Sequence, residues 1–455
     1  MSKTGLVWLL MYASGLMASF VKGPIVALMT YIFAYYTQYS WGKGAGTGRW
    51  SMIAAVVVML SYLFEKRNPS KLSHHKMPQL KWLLFILINM ILVMPFAADT
   101  KTTHTEIIDF VKLIFLYYCI IGIIQTRMHY KLFIWLQLWG GYHFGWEAFT
   151  RGKTVGGRLE NIGAPGIKES NFLAAHLLLL LPFINFLFLF GNKWEKLGSA
   201  VTAPFVLNCL VLCNSRGSFL SFGLMAVVMI LLAKKWMLKK LIIGLIFAIL
   251  AFSVIGYERV LSRLETVQTY EEDGSAMGRV DAWKGALVML QDYPFGKGGD
   301  AFSYYSPIYI PEIVEAHGGQ NRAVHNTYFL MATSWGIQGL FLLLGFYIST
   351  LMELHRIRKR TGTSDDKFYH TESLALEVGI IGFLIAIIFI NRVYAEGLYW
   401  FCALSTVISN LQQSELADIQ KNKKPKQRTN LDNKKHSHEK NKNSLYSQQP
   451  ELWRR

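Results

Sequence analysis

The sequence is short of charge and of cysteine. Only 17% of its 455 residues are Asp, Glu, Lys or Arg, against 52% hydrophobic and 14% aromatic, where a soluble domain carries about 25% charge. With a mean hydropathy of +0.27, that shortage excludes an ordinary soluble fold. The four cysteines, Cys119, Cys209, Cys213 and Cys402, all fall within apolar runs, so no disulfide framework is implied. Cys209 and Cys213 stand a helical turn apart without a nearby His or carboxylate in sequence, and read as small packing residues rather than metal ligands. Acidic residues are scarce too: 29 against 47 Lys and Arg, a net charge of +18. In a soluble protein this balance would suggest nucleic acid. Here the excess sits in hinges between apolar runs and in the C-terminal tail, so no nucleic-acid partner is expected.

What the chain has in abundance is apolar runs. A hydrocarbon core of roughly 30 Å needs about 20 helical residues, and only helices satisfy their backbone within one segment there. The expected fold is all-α, a polytopic transmembrane helical bundle of about 12 spans with a large periplasmic loop containing amphipathic helices. The spans are expected at Gly5-Val21, Pro24-Tyr39, Trp50-Phe64, Trp82-Ala97, Ile108-Gln125, Leu132-Phe149, Asn171-Phe190 and Leu197-Cys213. They continue at Phe219-Ala233, Leu241-Tyr257, Thr327-Leu351, Leu374-Asn391 and Leu398-Leu411. No internal repeat is evident. The first two runs are short. They read as full spans with the N-terminus outside, as a re-entrant pair, or as a pair with one member at the interface. The opening run with Lys3 resembles a signal peptide but has no small-residue cleavage site, and reads as retained.

Orientation follows the basic hinges, because Lys and Arg stay on the cytoplasmic side. Lys66, Arg67, Lys71, Lys76 and Lys81 form one hinge. Arg127 with Lys131, Lys193 with Lys196, Lys234 to Lys240, and Arg356 to Arg360 form the others. Residues 150–170, 214–218 and 258–326 then lie outside. Four regions result: helices with short loops over 1–257, the large outer loop 258–326, C-terminal helices over 327–411, and a basic cytoplasmic tail over 412–455. The tail is polar and lysine-rich and reads as a disordered arm against anionic membrane lipid.

Candidate chemistry lies on the outer face. Arg216 sits in Asn214-Ser215-Arg216-Gly217-Ser218, a turn between apolar helices whose small neighbours let an anion reach the guanidinium and the next helix's amides. An interface anchor is the plainer reading. The long outer loop exceeds ordinary connection length, and such loops are usually functional. A helical pattern starts at Gly278-Arg279 and carries Trp283, Leu287 and Leu290 toward Tyr293-Pro294-Phe295-Gly296, as a helix lying on the bilayer surface with Arg279 at its start. Glycines follow, then Phe302, Tyr304, Tyr305 and Tyr309, a composition suited to sugars or lipid-facing edges. At the return to the membrane, His325 stands beside Arg322 and Asn326. A histidine there accepts a proton from a hydroxyl near neutral pH while arginines hold an anionic leaving group; as a lone interfacial residue it would be a polar cap. The loop Thr150 to Ser170 adds Arg151, Lys153, Arg158, Glu160, Lys168 and Glu169, which serve equally as anion contacts or as a solvated face.

These residues resemble the O-antigen ligase and polymerase superfamily of envelope glycosyltransferases. The resemblance runs through Arg158, Asn171-Phe172-Leu173-Ala174, Ser215-Arg216-Gly217-Ser218, Gly278-Arg279, Trp283, Asp292-Tyr293-Pro294-Phe295-Gly296, Gly298, His325-Asn326-Thr327-Tyr328 and Gly336-Ile337-Gln338-Gly339-Leu340, in the family's order. It implies a bacterial inner-membrane enzyme. The implied reaction moves a glycan from undecaprenyl diphosphate to an acceptor hydroxyl on the periplasmic face, without metal, cofactor or nucleotide sugar. His325, Arg279 and Arg216 would be its catalytic residues, with Arg158, Arg322, Asn326 and Trp283 binding substrate. The acceptor is a lipid A core, another glycan, as in a repeat-unit polymerase, or a protein. Two departures stand out: Ser334-Trp335 where the family often has a glutamate, and the lysine-rich tail. A small-anion transporter, which would use charges near mid-membrane such as Lys112 or His176, and a scaffold without chemistry are the other classes left open.

Overall fold

Helices begin and end where the sequence supplies caps and breakers. The computed structural model describes residues 2–46, 48–65, 76–155, 157–246, 250, 274–361 and 366–419. Helix α1 (Lys3–Lys22) stops at Gly23, which adopts φ 91°, and Pro24 then opens α2 (Pro24–Thr37). Proline suits that place because its missing N–H would be unpaired there anyway. After α3 (Trp50–Phe64) and α4 (Leu80–Val93), Asp99 caps α5 (Thr100–Ile123) and Thr126 caps α6 (Arg127–Arg151) through side-chain oxygens. An Asn192/Glu195 capping box starts α8 (Lys193–Cys213) behind α7 (Ser170–Phe190). Next come α9 (Arg216–Leu232), α10 over 235–246, α11 (Gly274–Asp292), α12 (Ala301–Tyr309) and α13 (Pro311–Ala316). The long α14 (Thr327–Thr361) and α15 (Phe368–Ala386) precede a last helix that starts at 396. Residues 1–409 form one compact unit, and of the second, 410–455, residues 410–419 are described and helical.

Among the described residues the fold is helical save one addition: Lys153–Val155 pairs antiparallel with Arg158–Glu160 inside the loop 150–170. Among the described residues five helices, α1, α7, α8, α14 and α15, are long and apolar enough to cross a membrane, and α2, α3, α9 and the α4 region (Leu80–Phe96) are shorter apolar helices. Their outer surfaces carry Leu10, Phe20, Val21, Phe64, Leu92 and Phe341, all exposed, far more apolar surface than water tolerates. The end of the expected span Leu241-Tyr257 past residue 246, save residue 250, the acidic stretch from Glu258 to Asp273, the hinge residues 66–75 and the tail from 420 lie outside the described residues.

Helix α14 differs from the single span expected, because it is broken at Gly336, which takes φ 81°. Backbone groups freed inside a membrane bundle need partners, and the segment after α11 supplies them. Lys297 N and Gly298 N donate to Thr333 O and Ser334 O, while Ile337 N donates to Pro294 O. Gln338 Nε2 donates to Phe295 O, and Asn89 Nδ2 donates to Trp335 O at 2.7 Å. The same segment reaches α5, where Gly299 N donates to Thr103 Oγ1. A Cβ at Gly296 would come within 2.4 Å of Gly336 N and 2.6 Å of Ser334 O, at φ +86°. Gly296→Ala is therefore expected to lower the melting temperature in detergent, by the equivalent of about 2 kcal/mol or more. Gly278→Ala, whose Cβ meets nothing within 4 Å, leaves it unchanged. Equal melting of both variants would show that the seam does not support the fold.

The expected start of α11 needs correction. The helix begins at Gly274, so Arg279 lies in its second turn and not at its start. Its buried stripe is Ala282, Gly285, Ala286 and Met289, whereas Leu287 and Val288 are exposed. Small residues face inward because α12 approaches closely: a Cβ on Gly285 would stand 2.7 Å from Ile310 Cγ2.

Candidate functional site

The turn between α8 and α9 is built by three consecutive residues. Asn214 ends α8 in the left-handed conformation (φ 50°), Ser215 caps α9 by accepting from Ser218 N, and Arg216 is the first helical residue. Asparagine is among the few residues that adopt this conformation readily. Its side chain also donates to Gly157 O at 3.0 Å, tying the turn to the hairpin that carries Arg158. Gly217 lets Phe389 pack close, since a Cβ there would meet the ring at 2.8 Å.

Two adjoining cavities result. The first is lined by Arg158, Asn171, Ser215, Arg216, Gly217, Ser218 and Arg279, with Ala386, Phe389 and Ile390 on its apolar side. The second takes Arg158, Glu169, Asn171 and Arg279 together with Ile313, His317, Arg322 and His325, and encloses about 850 Å³, open solvent included. Arg158, Asn171 and Arg279 belong to both. Four arginines and His325, from four separate chain segments, thus converge. Guanidinium groups bind phosphate oxygens bidentately, and the N-terminus of α9 adds its positive end.

His325 is held by its backbone. It takes φ 49°, a conformation that costs energy for a residue other than glycine, and its neighbours on both sides are pinned. Trp283 Nε1 donates to Val324 O at 3.1 Å. Asn326 N donates to Asn391 Oδ1 at 2.9 Å, and Thr327 Oγ1 donates to Ile390 O at 2.6 Å. Burial lowers the proton affinity of the imidazole below its ordinary value, and the charges of Arg279 and then Arg322 lower it further. A neutral imidazole with a free nitrogen lone pair is the form that can take a proton from a hydroxyl.

Asn326 and Trp283 do not line either cavity. Asn326 Oδ1 accepts from Tyr328 N and Phe329 N, capping α14, and Trp283 packs its ring against Phe329 and Phe389. Both set the place of His325 instead. Glu169, named with its loop, and Asn171, named in a motif of the resemblance, line the cavities although neither was assigned a site role, and nothing in the pattern marked His317 or Phe389, which line them too. The two charges that a transporter would use are engaged elsewhere. Lys112 pairs with Asp109 at 2.8 Å on an exposed face, and buried His176 Nε2 lies 2.8 Å from Tyr36 Oη. Among the described residues no group of three His, Cys, Asp or Glu side chains is arranged to hold a metal.

Residues 200–344 match the family model described as O-antigen ligase, a stretch that contains Arg216, Arg279, Arg322 and His325. Arg158 and Asn171 lie outside it and join the site through the fold. No curated protein matches the chain.

Proposed function

This chain is O-antigen ligase-like over residues 200–344, and from that premise we propose that it is an inner-membrane glycosyltransferase moving a glycan from undecaprenyl diphosphate to an acceptor hydroxyl at the periplasmic face. One observation carries the reading: Arg158, Arg216, Arg279 and Arg322 from separate segments share two adjoining cavities with His325. The diphosphate of the donor occupies the arginine cluster. His325 accepts the proton as the acceptor oxygen attacks the anomeric carbon; the bond from that carbon to the diphosphate oxygen breaks, and undecaprenyl diphosphate leaves with the electron pair. The proton then passes from His325 to water. Guanidinium groups stabilise the charge that develops on the leaving oxygen, so the step needs no metal. Acceptors of this reading are a lipid A core, a second glycan, as in a repeat-unit polymerase, or a protein side chain.

The test is transfer by the full chain in liposomes, with lipid-diphosphate-linked glycan as donor, each acceptor class offered separately and EDTA present. Transfer to one class supports the assignment and names the acceptor. Loss of all transfer on adding EDTA, restored by a divalent metal, contradicts a charge balance resting on arginine alone.

A further inference from the structure

Next to the arginine cavities lies a fifth guanidinium that the reaction above does not use. Arg392 occupies the turn between α15 and the last helix, and its backbone N donates to Thr327 Oγ1 at 2.9 Å. The side chain lies over the Phe172 ring, 4.9 Å from its centroid. A Cβ on Gly166 would stand 3.3 Å from one of its terminal nitrogens, so the loop holding Arg158 passes directly beside it. Tyr35 supports the same loop by donating to Pro165 O at 3.1 Å. Burial works against the charge of Arg392, and Tyr35, Glu396 and Glu169 are the groups whose fields oppose that loss.

None of these neighbours satisfies its hydrogen bonds. Among the described residues the guanidinium makes no side-chain hydrogen bond or ion pair, only the ring contact with Phe172. Arg392 is half-buried and its N–H donors are not among the buried atoms without a partner, so the guanidinium offers five donors to whatever enters from solvent. Glu396 Oε2 is buried without a partner. Glu169 uses one oxygen to accept from Asn171 Nδ2 and lines the second arginine cavity.

The balance of donors and acceptors says what would fill this gap. Two carboxyl groups flank one guanidinium, so the place offers acceptors beside its donors, and a phosphate, which only accepts from a guanidinium, would leave those acceptors unused. Sugar hydroxyls use both: each donates and accepts, and neighbouring guanidinium and carboxyl groups match vicinal hydroxyls, with the half-buried Phe172 supplying aromatic surface. Glu169 both lines the second arginine cavity and acts on the charge of Arg392, so the sugar attached directly to the donor diphosphate is the one within reach.

We propose that Arg392, with Glu169 and Glu396, is a sugar-binding subsite that holds hydroxyls of the first sugar of the lipid-linked donor. It deepens the glycosyltransferase reading and rests on it, and the two fail separately in one experiment. Full-length protein in nanodiscs is titrated with two probes: the glycan released by mild acid from the lipid-linked pool of its native cells, and inorganic pyrophosphate. The variants are Arg392→Ala, Arg392→Lys, Glu396→Gln and Arg279→Ala, each checked by melting temperature.

Arg392→Ala and Glu396→Gln are expected to weaken binding of the glycan by about 10- to 100-fold and to leave pyrophosphate binding within twofold. Arg392→Lys keeps the charge but loses the planar fork, and recovers only part of the glycan affinity. Arg279→Ala does the reverse, weakening pyrophosphate alone. Glycan binding that survives Arg392→Ala, or no glycan binding by the wild type, overturns the subsite. Loss of both probes together in Arg392→Ala at an unchanged melting temperature also overturns it, by making Arg392 a support for the anion site. Failure of pyrophosphate to bind the wild type, or its indifference to Arg279→Ala, instead overturns the arginine-held diphosphate on which the proposal rests.

Discussion

Arg279→Ala is expected to lower the rate of glycan transfer by about 10²- to 10³-fold, the usual consequence of removing one preorganised charge from a developing anion. Arg279 is singled out because it lines both cavities and its field reaches His325. Its loss therefore removes diphosphate binding and changes the base at once. Arg216→Ala should fall in the same range, since Arg216 stands at the first turn of α9, where the helix's positive end reinforces its charge. Arg279→Lys should recover only part of the rate, because an ammonium offers a point charge in place of a bidentate fork. Initial rates at saturating donor, with a melting curve for each variant, check this. A full rate in both alanine variants would remove the arginines from the chemistry.

The second large effect is on His325. His325→Gln is expected to cost about 10²- to 10⁴-fold in kcat, the range attributed to a positioned general base. The pH profile gives its sign. Burial and the two arginines lower the proton affinity of the folded imidazole below the ordinary 6.5, so the active, neutral form prevails at pH 7. Activity should then decline only on the acid side of 6.5, as the base becomes protonated. Removing the Arg279 charge relieves part of that depression, so the residual activity of Arg279→Ala should decline at a higher pH than the wild type does. An acid limb that stays in place in Arg279→Ala, or a His325→Gln enzyme with an unchanged profile, would assign the limb to another group.

Much of this site is legible along the chain because its parts are local. Asn214-Ser215-Arg216 announces a short turn with an arginine at the head of the next apolar run, and the structure builds it from a left-handed stop, a cap and a charged first turn. His325 and Arg322 stand out as polar residues at the mouth of an apolar helix. Parts that depend on partners distant in sequence are not legible. The segments Asp292-Tyr293-Pro294-Phe295-Gly296 and Gly336-Ile337-Gln338-Gly339 stand out as motifs, but their shared purpose emerges only when Pro294, Phe295 and Lys297 are seen bonded to the break in α14. The buried face of α11 is not legible because Ala282, Gly285 and Ala286 contribute little hydropathy while permitting the closest packing. Asn391 lay at the expected end of a span and Arg392 just past it, yet each acts on residues 326 and 327, 65 positions away.

The most direct test of the central claim is the stoichiometry of product release by the reconstituted wild-type chain. One undecaprenyl diphosphate released for each glycan transferred, with no monophosphate and with the rate collapsing in Arg279→Ala, is the expected result. Glycan that crosses or leaves the membrane still joined to its lipid, with no diphosphate released, would contradict the account and make the chain a carrier.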